Sequence, residues 1–194
     1  RPRGEWKILG KSQPRIEGFE KVTGGRIFGI DVQLPNMLYG TVKMSPRFGA
    51  RAISVDASAA LEVNGVLDIV PVDTTTGSGF GIIAENTWAA FQGAEALDIV
   101  WGEAPYPANT EDIRAALDKA LNAKPDFEMG GKGNVEKELA NTVPENIVEA
   151  VYEVPYLAHA TMEPMNATAQ PKDGKLELWL GTQGPGIAQG ACAQ

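Results

Sequence analysis

The side chains best suited to chemistry gather in residues 155–186. The single histidine, His159, stands four positions before Glu163, and Thr182 and Gln183 open a turn spelled Gly184-Pro185-Gly186. A histidine beside a carboxylate has the types needed for proton transfer, although a lone histidine more often fills a satisfied structural role. Gln183 offers something different. Its amide donates and accepts at once, which suits a site that must hold an oxygen ligand of a metal without ligating the metal itself. Gly184 and Gly186 let backbone N–H groups and the start of a following helix come close to an anionic ligand.

Other pairings of reactive side chains fall away. Cys192 is the one cysteine, so an internal disulfide and a cysteine-built metal site are both excluded. Cys192 with His159 would make a nucleophile and base, but a cysteine between Ala191 and Ala193 in the first turns of a helix reads as a small buried apolar residue. With no second His or Cys to join His159, zinc is excluded as well. The run Gly77-Ser78-Gly79-Phe80-Gly81 has the look of a phosphate loop, yet such loops open a helix and here a strand follows, so a mobile hairpin or loop is expected. Asn166-Ala167-Thr168 spells a glycosylation acceptor inside a segment expected to be core, and is set aside.

The elements that must position these residues follow from turn and capping signals. Asp173-Gly174 between two alternating runs predicts a tight hairpin, because both residues tolerate positive φ. That hairpin carries His159 and Glu163 at one end and Gln183 at the other. Upstream, residues 38–43, 53–55, 66–72, 80–84 and 99–101 have strand character. Helices are expected over 57–63, preceded by Asp56 and stopped by Asn64-Gly65, and after Asn86, with Trp88, Phe91, Ala94 and Leu97 at helical spacing. Thr110 is expected to cap an amphipathic helix carrying Ile113, Leu117 and Leu121, stopped by Pro125. A weaker helix over 135–140 leads to a strand over 147–154. Short strands alternating with two helices imply an α+β sheet with helices on one face.

Composition bounds the function. Of 194 residues, 43% are hydrophobic and 22% charged, as in a globular domain, and no apolar run approaches the ~20 residues of a membrane span. A formal charge of −8 disfavours nucleic-acid phosphates as partners. Neither membrane insertion nor nucleic-acid binding is expected. The chain opens at Arg1 without an apolar leader, so it reads as a trimmed chain or a piece of a longer one, and periplasm and cytoplasm both stay open.

Two blocks carry a family resemblance. Tyr156-Leu157-Ala158-His159-Ala160-Thr161-Met162-Glu163-Pro164-Met165-Asn166, followed after the hairpin by Leu178-Trp179-Leu180-Gly181-Thr182-Gln183, resembles the molybdopterin-binding subunit of the xanthine dehydrogenase/aldehyde oxidase family, most closely the isoquinoline 1-oxidoreductase beta-subunit branch. Lys21-Val22-Thr23-Gly24, Gly29-Ile30-Asp31-Val32 and Leu34-Pro35-Asn36 resemble the opening of that family's α/β-hammerhead domain. Pro, Gly, Lys and Arg without periodicity predict an extended arm over 1–19, and the helical signals a connector over 105–146; the resemblance implies an α/β-hammerhead-like domain over 20–104 and the first strands of a molybdopterin-binding domain over 147–194. It further implies a molybdenum-dependent hydroxylase acting on N-heteroaromatic compounds or aldehydes, with electrons passed to an iron–sulfur subunit. Thr182 and Gln183 match the family's Thr-Gln pair beside the molybdenum, and Gly184 and Gly186 join them as cofactor-binding candidates. The family's Gly-Gly-Phe-Gly segment and its glutamate base have no counterpart here. Glu163 does not match that base and is expected instead to hold the hairpin and helix start through backbone N–H groups. No catalytic residue is therefore expected in this chain, and by itself it is expected to bind no molybdopterin. The competing reading is a non-catalytic interaction or assembly module.

Overall fold

A computed structural model of the chain describes residues 2–74, 77–127 and 129–193. In chain order the elements are α1 (Gly18–Val22), β1 (Tyr39–Met44), β2 (Ala52–Asp56), α2 (Ser58–Leu61), β3 (Val66–Thr74), β4 (Gly77–Ala84), α3 (Thr87–Ala96), β5 (Asp98–Trp101), α4 (Thr110–Leu121), α5 (Val135–Asn141), β6 (Ala167–Lys172), β7 (Lys175–Leu180) and α6 (Pro185–Cys192). The class is α+β, as the alternation of strands and helices implies. Two compact units result, one over Asn36–Val154 and one joining Arg1–Pro35 to Pro155–Gln194. Among the described residues no helix is long and apolar enough to cross a membrane.

In the unit Asn36–Val154, an antiparallel sheet runs β1-β4-β3, and β2 pairs antiparallel with β5. The glycine-rich run expected as a mobile hairpin or loop pairs antiparallel with the preceding strand β3, and as β4 it is the central strand of this sheet, not a mobile segment. Its glycines answer a packing demand. A side chain at Gly79 would strike the Lys43 carbonyl and the Met44 backbone, and one at Gly81 would crowd Val70, so only hydrogen allows β1 and β3 to close on both sides of β4.

Ile82 of β4 is fully buried and packs with Ala60 and Leu97, while Ala84 joins Ala89 and Ala90 in a second cluster. The Asn86 side chain accepts from the Ala89 N–H at 2.9 Å, the N-cap expected of that residue. The face that α3 buries is not the aromatic one. Ala89, Ala90 and Gly93 face inward, whereas Trp88 is 71% and Phe91 48% exposed. A Cβ at Gly93 would lie 2.8 Å from Val66 Cγ2 and 3.0 Å from Ile82 Cγ2, so the helix sits on the sheet at a separation that small residues alone permit. Lys43 closes the far end of α3, its Nζ donating to the carbonyls of Ala94 at 2.7 Å and Leu97 at 2.8 Å.

α4 forms where its pattern predicts, but its cap is Asn109, whose side chain accepts from the Asp112 N–H at 2.8 Å, and not Thr110. Asn109 already has the extended backbone that a cap needs, while Thr110 lies inside the first turn. The helix ends at Leu121, short of Pro125, and buries none of its residues. Residues 147–154 form no strand. They are rich in β-branched and aromatic residues, but a strand exists only with a partner edge, and Val148 stands 95% exposed. Arg114 of α4 holds this segment through Glu153 at 2.7 Å, and that carboxylate raises the guanidinium pKa.

Candidate functional site

The hairpin forms as its turn chemistry predicts. Asp173 at φ 52° and Gly174 at φ 71° make a two-residue turn, and register runs from Lys172 opposite Lys175 to Ala167 opposite Leu180. One consequence corrects the expected layout. Because Ala167 and Leu180 close the ladder, Glu163 to Asn166 and Gly181 to Gln183 leave it at the same open end, not at opposite ends.

Thr182, Gln183, Gly184 and Gly186 form the link from β7 into α6. The Gly184 N–H donates to Thr182 Oγ1 at 3.1 Å, which folds the link into a tight side-chain-closed turn. The N–H groups of Ile187 and Ala188 return to the Gly184 carbonyl at 3.0 Å, starting α6 behind Pro185. Gln183 is exposed between them, and among the described residues its side chain makes no hydrogen bond. The loop thus presents an amide able to donate and accept, with the oxygen of Thr182 accepting from the Gly184 N–H.

At the same open end lies a knot of polar groups that sequence patterns did not single out. Asn166 Nδ2 donates to the Pro164 carbonyl at 2.7 Å and to Glu163 Oε1 at 3.4 Å. Its Oδ1 is shut away from solvent without a hydrogen-bond partner. That oxygen occupies the space a side chain at Gly29 would need, and the Trp179 carbonyl lies 3.6 Å from the same point. On the other side Glu163 Oε2 stands 3.6 Å from where a side chain at Gly181 would begin. Glu163 therefore meets an asparagine amide in place of the backbone N–H groups expected of it. The spacing Glu163-x-x-Asn166 just before a strand is the available signal, obscured by the glycosylation pattern that begins at Asn166.

His159 is exposed and, among the described residues, forms no hydrogen bond with Glu163. Cys192 is exposed as well, contrary to its expected burial. It lines an open groove of about 1080 Å³ between the hairpin and α6, with Leu176, Leu178, Leu180 and Ala188. No group of three or more His, Cys, Asp or Glu is arranged to hold a metal ion among the described residues.

Residues 118–194 match the molybdopterin cofactor-binding domain. Over 98% of its length the chain is 29% identical to isoquinoline 1-oxidoreductase subunit beta of Brevundimonas diminuta, and over 97% it is 28% identical to xanthine dehydrogenase of Emericella nidulans. Over nearly its whole length the chain is thus similar to members of the xanthine dehydrogenase/aldehyde oxidase family. It spans 25% of the isoquinoline subunit and 16% of the xanthine dehydrogenase. Among solved structures it is similar to quinoline 2-oxidoreductase from Pseudomonas putida 86, with a TM-score of 0.67 and 20% identity over 95% of this chain and 28% of that one, so the chain shares that fold. The family match takes in α5, β6, β7 and the loop that holds Gln183.

Proposed function

We propose that the intact protein is a molybdopterin-dependent oxidoreductase that hydroxylates an N-heteroaromatic compound or an aldehyde and passes electrons to an iron–sulfur partner subunit. The observation that carries this reading is the cofactor-domain match over 118–194, which encloses the exposed Thr182–Gln183 turn. Its relatives are named for isoquinoline, nicotinate and xanthine oxidation and as an aldehyde oxidase. In this reading residues 20–104 are the hammerhead-like domain, 105–146 the connector and 147–194 the opening of the cofactor domain.

The residues present fit such a group. The turn offers an uncommitted neutral amide at Gln183 and glycine backbone at 184 and 186 that a large anionic ligand can approach closely, and none of these is a metal-ligating type. When bound, the cofactor supplies the redox centre. Gln183 donates from its amide N–H₂ to an anionic oxygen or accepts from a protonated one, while Thr182 keeps the turn closed through Gly184. Gln183→Ala in the full-length protein is expected to slow turnover by roughly ten- to a hundredfold, the loss of a hydrogen bond to a charged group, with circular dichroism and molybdenum content retained. Unchanged turnover would remove Gln183 from the site.

A further inference from the structure

We infer that Glu163, Asn166 and Gly29 form a clamp on the exit of β7 that fixes the backbone at Gly181 and so sets the direction of Gln183. The inference rests on the cofactor reading for its purpose, but its geometry stands alone. The ladder ends at Ala167 and Leu180, so the hydrogen bonds of the hairpin stop one residue before Gly181 and three before Gln183. Something else must hold the chain there. Glu163 lies against Gly181, and Asn166 ties Glu163 to the Pro164 carbonyl.

The orphaned Oδ1 of Asn166 is the telling feature. A buried acceptor without a partner is costly and uncommon, so its retention needs a reason. Turning the amide over would set its oxygen against the Pro164 carbonyl and its Glu163 partner, two acceptors, so both donors stay where they are and the oxygen must face inward. Only glycine at position 29 leaves room for it. The arm that carries Gly29 is itself shaped for this contact: the Phe28 N–H donates to Asp31 Oδ2 at 2.9 Å, closing a short turn that presents Gly29 to β6. Glu163 and Asn166 are positioning residues, acting on the ligand through the direction of Gln183.

Hydrogen–deuterium exchange of the full-length protein, with the cofactor left out, tests the clamp without any turnover. Glu163→Ala and Asn166→Ala are expected to speed exchange of the bonded amides of Gly184, Ile187 and Ala188 by roughly tenfold, with the Asp173–Gly174 turn unchanged. Glu163→Gln keeps an oxygen that can accept from Asn166 Nδ2 and is expected to restore slow exchange. Unchanged exchange in both alanine variants would overturn the clamp, and so would equal loosening of the whole hairpin, which marks a merely structural role. Should either alanine variant fail to fold, Asn166→Asp, which removes the donors at constant size, is expected to give the same local loosening, and its absence would overturn the inference. An inert Gln183→Ala with a responsive clamp would sink the cofactor reading alone.

Discussion

The two units of this chain are held by different forces. Asn36–Val154 keeps a dry centre made of Ala60, Ile82, Ala84, Ala89, Ala90 and Leu97, whereas in the unit carrying the hairpin Thr168 is the one buried residue among the described residues. The first rests on close packing of small groups, the second on a two-residue turn, ladder hydrogen bonds and a polar knot. A two-stranded hairpin of that kind is marginal in water. The candidate ligand loop therefore sits in the unit with less core, where local opening costs least.

Ile82→Ala should separate the units most sharply. It is expected to cost about 2–5 kcal/mol, the range for removing a large side chain from a fixed core, read by urea denaturation. Amide exchange should then rise through β1, β3 and β4 while β6 and β7 keep theirs; equal loosening of both would break the comparison. Gly174→Ala is the reverse experiment. Gly174 holds φ 71°, so a Cβ there is expected to cost about 1–2 kcal/mol and to loosen the hairpin alone. Equal protection of β6 and β7 in the variant would show that the turn is not what holds them.

The smallest effect expected is on pH. Backbone N–H donation within its own segment, then Arg15 and Lys21, bring the exposed Glu17 carboxylate from 4.5 down to about 2. A depressed folded pKa stabilises above the ordinary carboxylate range, and the contribution fades as pH falls from about 4.5 toward 2. Solvent screens the group, so only the helix α1 should respond. Carbon-13 titration of Glu17 by NMR checks this, and an ordinary midpoint would remove the pairing.

Where local chemistry decides, the sequence was readable. Asp173-Gly174 and the Asn86 cap each act over three residues or fewer, and both stand where the pattern put them. What escaped depended on neighbours distant in the chain. The Gly77 to Gly81 run reads as a mobile hairpin or loop because a strand and not a helix follows it, but the reason for its glycines lies in β1 and β3. Trp88 and Phe91 stand at helical spacing with Ala94 and Leu97, the pattern of a core face, whereas the sheet required Gly93. The strand pattern of 147–154 was legible, but its pairing edge was not. At the site, the Thr182–Gln183 loop came from resemblance and turn residues, while the link from Gly29 to Asn166 joins segments more than a hundred residues apart and left no local trace.

The Asp173–Gly174 turn also sets an order of events during folding. Joining β6 to β7 through two residues asks for almost no loop closure, and hairpins of this kind form in about 1–10 μs. β1 must instead find β4 past β2, α2 and β3, a non-local search that slows assembly. The strand pair beneath Gln183 can therefore assemble and dissolve many times while the sheet of the other unit is still without its third strand.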